Sequence, residues 1–148
     1  MSEPVTGRDG RRKRFVVGFD GSHRSAVALR WALAAADAQG AKVVVVEVTA
    51  PETEFVPATS MSPQPYGGPP RRRPLPDPAG LAGEHAHVPL SVEHVEGRTG
   101  RALAAAAAGA DLVVIGAHHS CAHLASGMGA FAADCLRYAT CPVVIVPE

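Results

Sequence analysis

The stretch DLVVIGAHHSCAHLASGMGA, residues 111–130, joins an apolar run to a glycine, a small polar loop and a second glycine where a helix should begin. Residues 112–115, LVVI, stand between Asp111 and Gly116 and read as a strand buried on both faces, the pattern of a parallel sheet covered by helices. In such sheets ligands sit beyond the carboxyl ends of the strands. The loop that follows this strand is therefore the first place to look for function.

Working outward, residues 15–19, FVVGF, read as the first strand, ended by Asp20-Gly21-Ser22. Across 24–39 the apolar residues Val27, Trp31, Ala34, Ala35 and Ala38 recur at helical spacing; Ser22 or Ser25 can cap the start, and Gly40 stands where a helix stops. Residues 43–48 form a second β-branched run interrupted only by Glu47, which completes a strand–helix–strand unit. A right-handed crossover puts that helix on one face of the sheet. A third strand over 88–95 alternates, with Val88, Leu90, Val92 and His94 on one side and Ser91, Glu93 and Val95 on the other, as a half-exposed edge strand does. After a turn at 97–100, residues 101–108 predict an alanine-rich helix with Leu103 as its one large anchor and Gly109 as its stop. A last helix over 129–140 carries Phe131, Cys135, Leu136 and Tyr138 among alanines. Residues 143–146, VVIV, form a fifth strand, and at a sheet edge so apolar a strand calls for cover, usually from a partner subunit.

Composition narrows the class. The 148 residues suit one domain, and 14 basic against 14 acidic side chains give no charge-based reason to expect nucleic acid or an anionic membrane as partner. No apolar window is long enough for a transmembrane helix. Cys121, Cys135 and Cys141 show no disulfide spacing, which points to a reducing cytoplasm. Residues 1–13 read as a flexible basic arm without the apolar segment of a targeting peptide, and 14–148 as a single domain. Residues 51–78 are Pro/Arg-rich and aperiodic, a disordered insertion in which proline bars both helix and central strand. Residues 79–87 have room for two helical turns, weakened by Gly80 and Gly83.

The succession FVVGFDGS, WALAAADAQGAKVVVVEV, VEG, GRALAAAAAGADLVVIGA and LRYATCPVVIV resembles the universal stress protein family over roughly two-thirds of the chain. The resemblance implies a Rossmann-like α/β fold of the adenine nucleotide alpha hydrolase kind: an open five-stranded parallel sheet, order 3-2-1-4-5, with helices on both faces. It also implies a homodimer through the C-terminal strand. The family's second helix is here shortened or replaced by the Pro-rich loop.

Members of that family that bind ATP carry Gly-x-x-Gly, nine residues, then Gly-Ser or Gly-Thr after the fourth strand. Glycines let backbone N–H groups close on phosphate oxygens, and the hydroxyl adds a donor at a helix N-terminus. By this resemblance Gly116, His118, His119, Gly129 and Ala130 fall on the phosphate loop, with His119 in place of a glycine and Ala130 in place of the hydroxyl residue. Gly18, Asp20 and Val48 would line the ribose and adenine. The implied cofactor is ATP or a related adenine nucleotide, and the only metal expected is a magnesium ion accompanying it.

Three readings compete. The leading one is a stress-responsive regulatory dimer that binds an adenine nucleotide. No lysine follows the loop as in a P-loop, and no nucleophile elbow, paired carboxylates or HExxH helix is present, so the chain does not read as an enzyme; the resemblance leaves slow ATP hydrolysis open. The second reading is a nucleotide-independent relative that acts through dimerisation or protein partners, in which His119 fills the phosphate position. The third is metal binding by His118, His119, Cys121 and His123, whose side chains ligate zinc, copper or nickel, although HHxCxH is not a strong signature.

Overall fold

The structure, a computed structural model, describes residues 11–49, 76–117 and 130–147. It contains β1 (Arg14–Gly18), α1 (His23–Gln39), β2 (Lys42–Thr49), β3 (Leu90–Glu96), α2 (Thr99–Ala106), β4 (Leu112–Gly116), α3 (Ala130–Tyr138) and β5 (Val143–Val146). The strands form one parallel sheet in the order β3-β2-β1-β4-β5. This is the arrangement implied by the family resemblance.

Each helix lies where crossover handedness puts it. The step from β1 to β2 carries α1 over one face, where Phe15, Val17, Val43, Val45 and Val114 meet Leu29 and Leu33. The steps from β3 to β4 and from β4 to β5 run in the opposite direction and carry α2 and α3 over the other face. There Val16, Val44, Val46, Val113 and Ile115 meet Leu103 and Cys135. The central strands are thus buried on both sides, as their unbroken apolar runs require.

Helix α1 forms where its spacing places it, capped by the Ser22 hydroxyl, which accepts from the Ser25 N–H, and closed by left-handed Gly40. Its buried stripe is different from the one expected. Ser25, Ala28, Leu29, Ala32, Leu33 and Ala36 face the sheet, whereas Trp31 is 41% exposed and Ala34 and Ala38 point outward. Because α1 is apolar on most sides, periodicity alone does not choose its face. The alanines at 28, 32 and 36 let the backbone approach the sheet, and Leu29 and Leu33 fill the space between, each worth about 1.5–3 kcal/mol of burial.

Between β2 and β3 the described residues hold two 3-10 turns, Pro78–Leu81 and Gly83–His85, where a second helix would stand. The helical turns expected over 79–87 are thus 3-10 in kind, with Gly83 at a left-handed φ of 54° between them. Such short turns cover little. Strand β3 is consequently more exposed than simple alternation implies: Leu90 and Val95 pack on opposite faces, but Val92 remains 39% exposed. On the same face Glu47, directly opposite His94 in the register, is buried and accepts a hydrogen bond from its Nδ1 at 2.9 Å. The charge that interrupts the β2 run is therefore satisfied by its cross-strand neighbour.

The turns are tied to α1 through a single carboxylate. Asp37 accepts from His85 Nδ1 at 2.9 Å and from His87 Nε2 at 2.7 Å. These bonds, His87 first and His85 second, hold Asp37 below the ordinary carboxylate pKa. At the far edge, β5 pairs with β4 and, among the described residues, with no other strand; its Val143, Val144 and Ile145 are half-buried.

Candidate functional site

The strand order reverses at β1 and β4. Connections leave these two strands toward opposite faces, and a crevice opens between their carboxyl ends. A cleft of about 270 Å³ lies there.

Part of its lining is apolar. Val46 and Val48 come from the end of β2, Leu103 from α2 and Phe131 from α3. The rest of the lining is largely polar, and Asp20, Ser22, Arg24 and Ser25 supply it from the turn after β1 and the first turn of α1, with Thr99 at the start of α2. Gly18, Gly116 and Ala117 bring backbone to the surface of the cleft.

The turn is fixed by local chemistry. Gly21 takes a φ of 80°, which lets Asp20 fold back so that its Oδ1 accepts the Ser22 N–H at 2.9 Å. Burial pushes the Asp20 carboxyl up, but hydrogen bonds from Ser22, then Ser25 and its own backbone, outweigh that and hold it below the ordinary value. The group is an anion at neutral pH and an acceptor for hydroxyl donors.

Close packing bears on two glycines and requires the one at 116. A Cβ on Gly116 would lie 2.6 Å from the Arg24 carbonyl oxygen and 2.9 Å from the Arg24 Cβ, so only a glycine lets the start of α1 rest on the end of β4. A Cβ on Gly18 would lie 2.8 Å from Leu103 Cδ2. Without these two side chains, the strand ends present bare backbone to the cleft.

Of the residues singled out from the sequence, Gly18, Asp20, Val48 and Gly116 meet around this one cleft. His118, His119 and Gly129 lie outside the described residues, as do Cys121 and His123 of the metal reading. Ala130 opens α3. Among the described residues no group of three or more His, Cys, Asp or Glu could hold a metal ion, and no helix is long and apolar enough to cross a membrane. Sequence reasoning missed Arg24, Thr99 and the Leu103–Phe131 part of the lining. Leu103 was visible as a core anchor; Arg24 and Thr99 had no signal beyond their positions at helix starts.

Comparison with known proteins agrees with this architecture. The sequence profile of the Universal stress protein family matches residues 11–147, and the chain belongs to that family. Universal stress proteins are in general non-catalytic regulatory domains. No curated protein sequence matches the chain significantly. Among solved structures, a universal stress protein in complex with cAMP is 23% identical, with 90% of this chain and 95% of that one covered and a TM-score of 0.58. The universal stress protein from Archaeoglobus fulgidus in complex with dAMP is 19% identical, with 90% and 96% covered and a TM-score of 0.58. A family member from Arabidopsis thaliana with AMP bound is 14% identical, with 92% of each chain covered and a TM-score of 0.54. At these identities the likeness is one of fold.

Proposed function

We propose that this protein is a regulatory module of the universal stress protein family that binds an adenine nucleotide in the cleft between β1 and β4. The observation that carries the reading is the convergence of Gly18, Asp20, Val48 and Gly116 on a cleft whose lining is part apolar and part polar. The apolar part suits a planar base, and the Asp20 carboxylate suits ribose hydroxyls. The glycine at 116 opens backbone to the ligand, as phosphate sites at sheet ends require. Three structures of the same fold hold cAMP, dAMP or AMP, which supports the choice of adenine. The outer edge of β5, apolar throughout and without a strand partner among the described residues, supports a homodimer in which a second copy covers it.

A second reading rests on the sequence of the phosphate loop. With His119 and Ala130 at its altered positions, a nucleotide-independent module acting through dimerisation is the rival. Titration calorimetry of ligand-stripped protein with AMP and ATP, with mass spectrometry of the protein as purified, separates the two. Binding heat or a co-purified adenine nucleotide supports the cleft reading; neither heat nor nucleotide leaves the rival.

A further inference from the structure

Among the described residues lining the cleft, the aromatic side chains are Phe19 and Phe131. Phe19 is 4% exposed and belongs to the core on the α1 side of the sheet, so its ring is already covered. Phe131, the second residue of α3, is half-buried on the other side. A glycine lies at each end of this residue. At its root, the Phe131 carbonyl oxygen is 2.7 Å from where a Cβ on Gly100 would sit, so the start of α3 rests on bare backbone of α2. At its tip, the ring Cζ is 3.6 Å from where a Cβ on Gly18 would sit, so the ring reaches the bare end of β1 at the cleft. Leu103 Cδ2 comes to 2.8 Å from the same point. Gly18, Leu103 and Phe131 therefore make one apolar wall, held from a strand and two helices and shaped before any ligand arrives.

We infer that Phe131 is a base-contacting residue of this cleft, its ring giving the purine of a bound adenine nucleotide a surface to pack on; the inference rests on the nucleotide reading given above. An aromatic ring beside a base gains from the complementary charge distribution of the two ring systems as well as from the apolar area removed from water. A side chain already held in place keeps most of that gain, because little rotamer freedom is lost on binding. The contact senses the flat face that every base has and none of its exocyclic groups. Phe131 therefore favours a ligand that carries a base over a bare sugar phosphate and leaves the choice of base to other groups of the cleft.

Calorimetric titration of the full chain with AMP and ATP tests this, using wild type, Phe131→Leu and Phe131→Ala, with melting curves to show that each variant folds. Phe131→Ala is expected to bind AMP about ten- to a hundredfold more weakly than wild type, the worth of a base–aromatic contact. Phe131→Leu keeps apolar area without the ring and should fall between the two. Because a purely structural role would also lower affinity, the position of the ring is read directly. In proton NMR of the AMP complex, cross-relaxation is expected between phenylalanine ring protons and H2 and H8 of the base. The chain has four phenylalanines, and the loss of these signals in Phe131→Leu assigns them. Ring signals that reach only the ribose protons, or no ligand proton, overturn the inference whatever the affinities do. So does AMP affinity within about twofold of wild type in both variants, and in either case the nucleotide reading stands. No binding of AMP or ATP by wild type overturns both.

Discussion

Replacing Gly100 with alanine sets two effects of opposite sign against each other. Gly100 is the second residue of α2, and on helix propensity alone alanine there gains about 1 kcal/mol. The packing argues the other way. A Cβ at this position would lie 2.6 Å from Asp134 Cβ, 2.7 Å from the Phe131 carbonyl oxygen and 3.3 Å from the Cys135 nitrogen, all on α3. Ordinary contact begins near 3.4 Å, so the helices must part by about 0.8 Å. Two of the three obstacles are backbone atoms and cannot rotate away, and the Cys135 thiol, which donates to the Gly100 carbonyl at 3.7 Å, must move with them. Overpacking of this kind costs about 1–3 kcal/mol, and parting the helices also loosens the core around Leu103.

Rigid backbone obstacles put the cost in the upper half of that range, about 2–3 kcal/mol, so the sterics win with a net loss of about 1–2 kcal/mol, or a fall in Tm of roughly 2–8 °C for a chain of this size. Urea denaturation and thermal melting measure it. Gly80→Ala is the control, because no atom lies within 4 Å of its would-be Cβ, and its stability should stay within about 0.5 kcal/mol of wild type. If Gly100→Ala proved as stable as wild type or more so, the α2–α3 contact would have to yield more readily than its backbone atoms allow, and the packing argument would fail.

Three other perturbations follow from the same geometry. Gly116→Ala meets the Arg24 backbone at 2.6 Å and should cost about 2 kcal/mol or more in urea denaturation, with any ligand affinity of the cleft lost as α1 is displaced. Ser22→Ala removes the cap that accepts the Ser25 N–H at 3.2 Å and should lower stability by about 1 kcal/mol, while Ser22→Gly costs only a few tenths; equal costs would mean that the hydroxyl is not the cap. The folded-state pKa of Asp37 is depressed, so its contribution is present above the unfolded value near about 3.9 and is lost as pH falls through the folded one. The urea midpoint of wild type should therefore exceed that of Asp37→Asn at pH 6 and converge on it as pH falls through the depressed folded-state value; a gap that is constant with pH would sink this assignment.

The strands were legible because each apolar run is short, β-branched and bounded by turn residues, and because a run such as 112–115 has no polar side to spare for solvent. The helix faces were less legible. Helix α1 offers apolar side chains on most sides, and its alanine-lined approach to the sheet is decided by tertiary packing. Gly100 read as part of a turn because a glycine that two helices need in order to touch leaves no local mark. Arg24 left none either, since its place at the cleft depends on Gly116, 92 residues away in sequence. Gly18 and Gly116 suggested ligand contact, and both do line the cleft. Yet a Cβ on Gly116 would run into the Arg24 backbone at 2.6 Å, so the fold demands that glycine whether or not a nucleotide is bound, whereas the atom nearest Gly18 is the end of the Leu103 side chain. A glycine pattern of this kind therefore testifies first to crowding at the strand ends.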